Sequence, residues 1–205
     1  MPDLDFNALE RQTRAVYERN AAAFDHQRAK HLFERAWLDR FIDGLPEGAH
    51  ILDLGCGSGE PMARYLIAHG FRITGVDAAQ AMIDIAQTRF PEHTWRQGDM
   101  RELDLGETFD GIIGWNSFFH LPPGDQPDTL RSIVAHLKPG GRLMLTVGPE
   151  NGEVTGHVNG EQVYHGSLSP DTYTRILGEL DLRIIDFVLE DKACDFHTVL
   201  LAQKA

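Results

Sequence analysis

The feature of this sequence that most constrains its fold is a hydrophobic segment that runs directly into a glycine-rich turn. The segment reads Ile51-Leu52-Asp53-Leu54-Gly55-Cys56-Gly57-Ser58-Gly59-Glu60. Glycine permits the positive φ angles of a tight turn and lets a ligand approach the main chain closely. A helix that begins after such a turn presents unpaired N–H groups to that ligand. The segment therefore predicts a strand, a ligand-binding turn and a helix in an α/β fold.

One common ligand of such turns fits this segment poorly. A dinucleotide-binding turn follows the pattern Gly-x-Gly-x-x-Gly, and this chain has Glu60 at the position of the third glycine. The difference weakens the hypothesis of a NAD-dependent oxidoreductase, which we keep as a less favoured alternative.

Strand-like and helix-like segments alternate along most of the chain. Strands that alternate with helices are typical of βαβ units on a parallel sheet. Hydrophobic runs predict strands at His50–Leu54, Phe71–Val76, Thr94–Arg96, Phe109–Gly114 and Gly141–Val147, and helical periodicity predicts helices at 8–25, 30–43, 60–69, 79–89 and 125–138. The first helix has a mildly apolar face rich in hydrogen-bonding groups, so we expect it to lie across a surface.

The C-terminal part departs from this alternation. Asn159-Gly160 suits the type I′ turn of a hairpin, and Ser169-Pro170 is a typical helix start. Two final strands joined by a short loop must run antiparallel. The predicted elements are strands at Val154–Val158, Glu161–His165, Leu182–Leu189 and Thr198–Ala202 and a helix at 170–180. The predicted fold class is therefore α/β, a mostly parallel sheet with an antiparallel hairpin at one edge.

Composition and charge restrict the class of partner. The chain has 205 residues, of which 42% are hydrophobic and 24% charged, values that suit one folded domain. Its formal net charge is −12, whereas a protein that binds nucleic acid or an anionic membrane needs a basic surface to neutralise phosphates. We therefore expect no nucleic acid and no membrane as partner, and a neutral or cationic small molecule instead.

Three further observations favour a cytoplasmic protein. No apolar run approaches the roughly 18–20 residues of a membrane-spanning helix, and the acidic N-terminal residues do not resemble a signal peptide. The only cysteines, Cys56 and Cys194, lie far apart in sequence, as expected for free thiols in a reducing compartment.

Polar residues follow several of the predicted strands. Asp77 ends the second strand, where a carboxylate can accept hydrogen bonds from both hydroxyls of a ribose. Asp99 follows the third strand and could accept from the exocyclic amine of a purine, while Met100 packs on the ring. The alternative for each acid is an ordinary polar loop. Because ligands of open α/β sheets bind at the carboxyl ends of strands, these residues are expected in one crevice.

The ordered motifs resemble those of the class I S-adenosylmethionine-dependent methyltransferases. Asp53-Leu54-Gly55-Cys56-Gly57-Ser58-Gly59 is similar to the first motif of that family, Asp77 to its ribose acid, Gly98-Asp99-Met100 to its adenine motif, and Leu137-Lys138-Pro139-Gly140-Gly141 to the loop before its fifth strand. The resemblance is close over residues 50–147 and extends through the antiparallel ending. It implies a Rossmann-like seven-stranded sheet with helices on both faces, and methyl transfer from S-adenosylmethionine to a small-molecule acceptor, with S-adenosylhomocysteine as product.

The resemblance also implies roles for individual residues. Gly55 and Gly57 would approach the methionine part of the cofactor, Met82 would pack on the adenine, and the Trp115 backbone would meet the amino group. The complete set predicted to bind the cofactor is Asp53, Gly55, Gly57, Asp77, Ala78, Met82, Asp99, Met100, Trp115, Asn116, Tyr17 and Arg28. The family's Asp-Pro-Pro-Tyr or Asn-Pro-Pro-Tyr motif is replaced by Trp115-Asn116-Ser117-Phe118, which argues against nucleobase and amide acceptors.

His120 is the candidate general base, for an acceptor that arrives protonated. It lies just past the fourth strand, and an unperturbed imidazole titrates near pH ~6.5; the alternative is a histidine that caps a loop. Arg28 could bind a carboxylate of the cofactor or acceptor, or be a solvated surface arginine. The histidines show no metal-ligand spacing, and no metal site is predicted.

Residues near the C-terminus offer weaker candidates. Tyr164, His165 and His197 could line the acceptor side, although a structural role is favoured for each. Cys194 and His197 suggest a nucleophilic dyad, but a short loop between edge strands orients a dyad poorly.

The predicted organisation is a single domain, 1–205, that forms a monomer or a homodimer. It divides into N-terminal lid helices (1–45), a cofactor-binding core (46–147), a hairpin insertion (148–168), and a C-terminal helix with antiparallel strands (169–205). A non-catalytic module that binds S-adenosylmethionine or S-adenosylhomocysteine as a sensor is the main alternative to an enzyme.

Overall fold

The computed structural model describes residues 5–29 and 31–205. The helices are α1 (Phe6–Gln27), α2 (Arg35–Ile42), α3 (Met62–Ala68), α4 (Gln80–Arg89), α5 (Gln126–Ala135) and α6 (Pro170–Glu179), with short 3-10 turns at Met100–Glu102, Phe118–His120 and Lys192–Cys194. The strands are β1 (His50–Leu54), β2 (Arg72–Asp77), β3 (Thr94–Gln97), β4 (Phe109–Gly114), β5 (Leu137–Val147), β6 (Gly152–Val158), β7 (Glu161–Ser167), β8 (Leu182–Asp191) and β9 (His197–Lys204).

Seven strands form one sheet in the order β3-β2-β1-β4-β5-β9-β8. The neighbours from β3 to β5 are parallel, and β9 runs antiparallel to both β5 and β8. The predicted mostly parallel sheet with an antiparallel hairpin at its edge is confirmed. The strand order reverses beside β1, which pairs with β2 on one side and β4 on the other, and such a reversal opens a ligand crevice at the carboxyl ends of the strands.

Helices cover both faces of the sheet, as predicted. Helices α5 and α6 pack on one face, through side chains such as Ile133 and Tyr173. Helices α2, α3 and α4 pack on the other, through Trp37, Leu66 and Ile83. These buried apolar layers hold the parallel strands, and with them the crevice, in a fixed geometry. In the described part of the chain, no helix is long and apolar enough to cross a membrane.

Strands β6 and β7 form a separate two-stranded sheet, hereafter the hairpin. Asn159 and Gly160 at its tip have φ angles of +48° and +82°, the positive values that a type I′ turn requires. The predicted hairpin is therefore confirmed, and it lies against α1.

Helix α1 packs against the hairpin on one side and against α4 on the other. Thr13, Val16 and Asn20 on its inner face are buried. The Thr13 hydroxyl accepts a hydrogen bond from the backbone N–H of Tyr164 at 2.9 Å, and the Asn20 amide donates to Glu161 at 2.8 Å. The expectation that this mixed face covers a surface is confirmed, because polar partners on the hairpin satisfy its polar side chains.

Two predicted helix boundaries were wrong. The second helix, expected at 30–43, begins only at Arg35, and Lys30 lies outside the described residues. The chain before Arg35 instead turns so that the buried Glu34 carboxylate meets Arg28. Helix α5, expected to reach residue 138, ends at Ala135, since Pro139 disfavours a helical conformation of the residue before it.

Candidate cofactor and acceptor site

A cavity of about 470 Å³ lies at the carboxyl ends of the central parallel strands; we name it the cofactor cavity. Its volume falls in the range of small-molecule sites. Every residue predicted for the cofactor site lines it, namely Tyr17, Arg28, Asp53, Gly55, Gly57, Asp77, Ala78, Met82, Asp99, Met100, Trp115 and Asn116, together with His120. The structure thus brings the whole predicted set into one space.

The glycine turn needs glycine for two different reasons. Gly55 and Gly57 have φ angles of +66° and +52°, which favour glycine. A Cβ atom at Gly55 would lie 2.2 Å from the Ser117 Cβ, whereas a Cβ at Gly57 would meet no atom within 4 Å. Gly55 therefore permits close packing against Ser117, and Gly57 leaves open space at the cavity wall.

The Asp77 carboxylate connects the glycine turn to α4. One oxygen accepts a hydrogen bond from the Gly57 N–H and the other from the Ala79 N–H, both at 2.8 Å. Burial raises the pKa of this carboxyl, while these two hydrogen bonds oppose the shift. A carboxylate oxygen can accept more than one hydrogen bond, so both oxygens retain capacity for ligand hydroxyls.

Asp53 is a buried acid with an unsatisfied atom. Its Oδ2 has no hydrogen-bond partner among the described residues, although the residue lines the cofactor cavity. Burial, helped by the charge of Asp77, raises the pKa of Asp53 to about 7. A cationic group in the cavity would supply the missing partner, because an opposite charge favours the ionised carboxylate.

Asp99 is held by Arg101, an arginine that no sequence motif marks. Arg101 contacts both Asp99 oxygens, with Nη2 2.6 Å from Oδ2, and also reaches Glu10 on α1 at 3.0 Å. Burial acts to raise the pKa of Asp99, but the hydrogen bonds and charge of Arg101 outweigh it and lower the pKa overall. Arg101 itself lines the cavity, so the predicted adenine acid belongs to an ion-pair network with α1.

Tyr17 and His120 form a hydrogen-bonded pair. The Tyr17 hydroxyl lies 3.0 Å from His120 Nε2, and His120 Nδ1 lies 2.7 Å from the Tyr164 carbonyl oxygen. A carbonyl only accepts, so Nδ1 carries the proton and Nε2 accepts from the Tyr17 hydroxyl. Burial lowers the pKa of His120 to about 4, which keeps the imidazole neutral at physiological pH.

The remaining predicted cavity residues are held by the sheet and its helices. Met82 is buried with Ala21 and Ala79 between α1 and α4. Asn116 has a φ angle of +53°, and its N–H donates to the Thr146 hydroxyl at 2.7 Å. The Trp115 ring stacks on His197 with centroids 5.5 Å apart. These residues therefore have structural contacts in addition to any contact with a ligand.

A second cavity of about 720 Å³ adjoins the first; we name it the acceptor cavity. The hairpin, the β8–β9 turn and α1 form its wall. Tyr17, Phe24, Arg28 and Asn116 line both cavities and define the junction between them. A group in one cavity can therefore reach a group in the other at this junction.

Arg28 at the junction is not a surface residue. Its side chain is only 17% exposed, and its guanidinium lies 3.2 Å from the Glu34 carboxylate, which is fully buried. The alternative of a solvated surface arginine is therefore wrong. Glu34 has one oxygen without a partner in the described part of the chain, and burial raises its pKa.

The C-terminal candidates divide into cavity and structural residues. His165 and His197 line the acceptor cavity, whereas the buried Tyr164 ring lines neither cavity and donates its hydroxyl to Glu153 at 2.7 Å. His197 Nδ1 donates a hydrogen bond to the Cys194 carbonyl oxygen at 2.8 Å. Burial raises the pKa of the Cys194 thiol to about 12. These contacts give no support to a Cys194–His197 nucleophile.

A second network missed from sequence connects α1 to the glycine turn. Arg89 on α4 donates to both Asp25 oxygens at 2.8 and 2.7 Å and to the Ser58 carbonyl at 3.0 Å. The Ser58 hydroxyl also donates to Asp25 at 2.6 Å. No sequence motif marks these residues, because long side chains join elements far apart in the chain.

Within residues 5–29 and 31–205, no group of three His, Cys, Asp or Glu side chains is arranged to hold a metal ion.

Sequence similarity to known proteins covers part of this chain. Residues 51–141 match a family described as a methyltransferase domain. A dTDP-4-amino-2,3,4,6-tetradeoxy-D-glucose N,N-dimethyltransferase of Saccharopolyspora spinosa is 32% identical over 126 residues, covering 60% of this chain and 50% of the relative. A 2-phytyl-1,4-naphtoquinone methyltransferase of Thermosynechococcus vestitus is 35% identical over 143 residues, covering 64% and 62%. The chain spans about half the length of the curated relatives that it matches.

Solved structures match nearly the whole fold. S-adenosylmethionine-bound CalS10, an amino pentose methyltransferase from Micromonospora echinaspora, matches with a TM-score of 0.69 and 20% identity over 91% of this chain and 96% of that one. Magnesium protoporphyrin IX methyltransferase from Synechocystis PCC 6803 matches with a TM-score of 0.71 and 17% identity over 100% of both chains. At such identities the likeness concerns the fold. Residues 51–141 thus match a methyltransferase domain, and the chain shares its fold with S-adenosylmethionine-dependent methyltransferases.

Proposed function

We propose that this protein transfers a methyl group from S-adenosylmethionine to a small-molecule acceptor. The observation that carries the proposal is the junction of two cavities at Tyr17, Phe24, Arg28 and Asn116. In-line transfer needs donor and acceptor to meet at one point, each with its own binding space. Holding two reactants in line can contribute roughly 7–11 kcal/mol to lowering a barrier.

The residues of the cofactor cavity fit S-adenosylmethionine. The unpartnered Asp53 oxygen suits a cationic amino group, the open space at Gly57 suits a ligand close to the backbone, and Asp77 can accept from ribose hydroxyls. When bound, the cofactor supplies an electrophilic methyl group on its sulfonium. We propose that Asp99 and Met100 bind the adenine and that Arg28 binds the carboxylate of the cofactor. The rest of the wall is formed by Met82, Ala78 and the Trp115 backbone.

We propose that His120 acts through Tyr17 as a positioning residue. Both imidazole nitrogens are hydrogen-bonded, so the ring does not face the acceptor cavity with a free lone pair. Because the Tyr17 hydroxyl donates to His120, its oxygen can accept a hydrogen bond from an acceptor N–H or O–H group at the junction. A base role for His120 remains a second hypothesis, which requires Tyr17 to move aside.

The relatives' acceptors do not identify the acceptor of this chain. By their names, two relatives act on dTDP-linked amino sugars and one on a phytyl naphthoquinone. The hairpin and α1, which form much of the acceptor cavity here, lie outside the matched segment 51–141. We propose a small molecule, without nucleic acid or membrane, as partner.

We further propose a single cytoplasmic domain, monomeric or homodimeric, in which residues 1–45 act as a lid and 148–168 as the acceptor-side insertion. The buried free thiols of Cys56 and Cys194 and the net charge of −12 support this proposal. The polar contacts of α1 with the hairpin and with the glycine turn support its role as a cover over both cavities.

Calorimetric titration with S-adenosylhomocysteine, S-adenosylmethionine and NAD tests the cofactor. We expect the first two to bind and NAD not to bind, because the buried Glu60 carboxylate lines the cavity beside the glycine turn, where a pyrophosphate would approach. NAD binding without S-adenosylmethionine binding would contradict the proposal. A bound cofactor with no methyl transfer to a broad panel of amines, phenols, thiols and carboxylic acids would favour the sensor alternative.

A further inference from the structure

The acceptor cavity has an apolar interior. Phe24, Phe119, Val147, Val158 and Val163 line it, and these side chains offer contact area without hydrogen bonds. Such a wall favours an acceptor that carries an aromatic or aliphatic body, because apolar area removed from water contributes about 25 cal/mol per Å².

Two large apolar side chains remain exposed where this cavity opens. Val154 on β6 is 61% exposed and Phe196 in the β8–β9 turn is 62% exposed, and both line the cavity. Phe196 has a φ angle of +57°, which is unfavourable for a bulky residue. Residues held in such conformations occur preferentially at ligand clamps. The pair is therefore placed to cover an apolar ligand body.

The mouth of the acceptor cavity is anionic. Glu150, Glu153, Glu190 and Asp195, hereafter the acidic rim, line it from the hairpin side and the β8–β9 turn. Arg28 is the one arginine or lysine among the described lining residues, and Glu34 already pairs with it. Charges of one sign at a cavity mouth attract the opposite charge and repel their own. The rim therefore opposes phosphate-bearing and carboxylate-bearing acceptors and attracts cations.

His165 is the polar side chain of the inner wall without a protein partner. Its imidazole makes no hydrogen bond to any described residue, and its ring lies 4.5 Å from Phe119 and 5.1 Å from His120, centroid to centroid. It lines the acceptor cavity, whereas His120 lines the cofactor cavity. An imidazole in this position can exchange hydrogen bonds with an acceptor beside the junction.

The junction lacks a strong base. Burial lowers the pKa of both His120 and His165 to about 4 and raises that of Tyr17. An alcohol or phenol must lose its proton to become a good nucleophile, whereas a neutral amine attacks with its lone pair. Apolar surroundings disfavour the ammonium form and so favour the reactive amine.

We propose that the acceptor is an amine carried on an apolar body, without phosphate or carboxylate, and that His165 contacts it beside the reacting nitrogen. The inference rests on the proposed function, because it assigns the second cavity to the acceptor. An amine that enters as the ammonium first releases one proton to water at the acidic rim. The lone pair of the neutral amine then forms the N–CH₃ bond while the C–S bond breaks, and the electron pair of the C–S bond converts the sulfonium to a thioether. The new ammonium then releases one proton to water at the acidic rim.

Matched probes test the acceptor class. Phenylethyl, indolylethyl and naphthylethyl bodies are each prepared as amine, alcohol and phosphate ester, and offered to protein saturated with S-adenosylhomocysteine for calorimetry, or with S-adenosylmethionine for mass spectrometry of products. We expect amines to bind at least about tenfold more tightly than phosphate esters, and only amines to be methylated. A phosphate ester that binds as tightly as its amine, a methylated alcohol, or an absence of amine binding would overturn the inference.

Variants separate this inference from the proposed function. Glu150→Gln combined with Glu190→Gln should raise the KM for amines about threefold to tenfold at low salt, with kcat unchanged. Glu47→Gln, at the amino end of β1, is the matched control and should leave KM unchanged. His165→Phe should weaken amine binding without altering S-adenosylhomocysteine affinity. An unchanged amine KM in the rim variant overturns the inference, whereas loss of cofactor binding by the parent protein would overturn the proposed function.

Discussion

At the scale of residues, the Asp77 carboxylate accepts hydrogen bonds from the protein backbone and, in the proposed complex, from the ribose of the cofactor. Replacing it by Ala removes the acceptor for ribose hydroxyls and also frees the Gly57 and Ala79 N–H groups. We expect S-adenosylhomocysteine affinity to fall roughly tenfold or more, since hydrogen bonds to a charged group contribute about 1.5–3 kcal/mol. Calorimetry measures the loss, and Asp77→Asn, which keeps one acceptor oxygen, should lose less. Equal affinities of parent and Ala variant would refute the ribose assignment.

Asp53 should make cofactor binding depend on pH. With its pKa raised to about 7, this carboxyl is largely protonated in the empty protein below pH 7. A cationic amino group requires the ionised form, so binding releases a proton, and affinity should increase about tenfold from pH 6 to pH 8. Calorimetry in buffers of different ionisation enthalpy measures the proton. Asp53→Asn should abolish the pH dependence; its persistence would assign the proton to another group.

The Tyr17–His120 pair gives a prediction about the rate. Because the pKa of His120 lies at about 4, its ionisation should leave no step in kcat between pH 6 and pH 9. Tyr17→Phe and His120→Asn should each lower kcat about tenfold, while S-adenosylhomocysteine affinity stays within about threefold of the parent. A kcat step near pH ~6.5 that disappears in His120→Asn would instead identify an imidazole with free access to the acceptor.

Sequence identified cavity residues where the sheet determines their position. Asp53, Asp77, Asp99 and Asn116 lie at or just beyond the carboxyl ends of strands of one parallel sheet, so their convergence follows from topology. Arg101 could not be identified in this way, since tertiary packing alone brings it near Glu10 on α1 and Asp125 just before α5. His120 was identified by position, but its neutral, fully bonded state depends on the Tyr164 carbonyl of the distant hairpin.

At the scale of elements, Glu161 joins α1 to the hairpin. Its exposed carboxylate accepts from Arg19 and Asn20. Glu161→Ala should leave the free energy of unfolding almost unchanged, as usual for an exposed ion pair. By loosening the cover over the cofactor cavity, it should raise the dissociation rate of S-adenosylhomocysteine about threefold, measured by stopped flow.

The control for this variant is Glu179→Ala, which breaks a similarly exposed pair with Arg175 on α6. It should leave the dissociation rate unchanged. Equal rates in all three proteins would show that α1 and the hairpin do not act together as a cover.

Whether a segment forms a helix or a strand was predictable from the spacing of its apolar residues. The residues at which helices and strands begin and end were less predictable. The Asn159-Gly160 turn and the closing antiparallel pair depend on local chemistry, and both were predicted correctly. The start of α2 was not, because no hydrophobic period marks the loop in which Arg28 pairs with the buried Glu34. Likewise β5 begins at Leu137, where it already pairs with Phe109 before a register shift; such irregular pairing leaves no periodic signal.

At the scale of the whole molecule, burial of both cysteine thiols should protect them from disulfide reagents in the native protein. Cys56 and Cys194 are free and buried, and burial raises the pKa of the Cys194 thiol to about 12. Because the thiolate is the reactive form, neither should react with a disulfide reagent at pH 8 in native protein, whereas both should react in guanidinium chloride. Absorbance of the released thiol measures the reaction. Rapid labelling of native protein would contradict the burial.

The separation of the hairpin from the main sheet has an evolutionary consequence. Strands β6 and β7 hydrogen-bond to each other and belong to a sheet of their own, so substitutions there need not disturb the parallel strands that carry the glycine turn. Descendants of such a chain can inherit the donor half unchanged while their acceptor repertoire diverges through one short segment. For protein engineering, that segment is the natural unit to exchange between homologues.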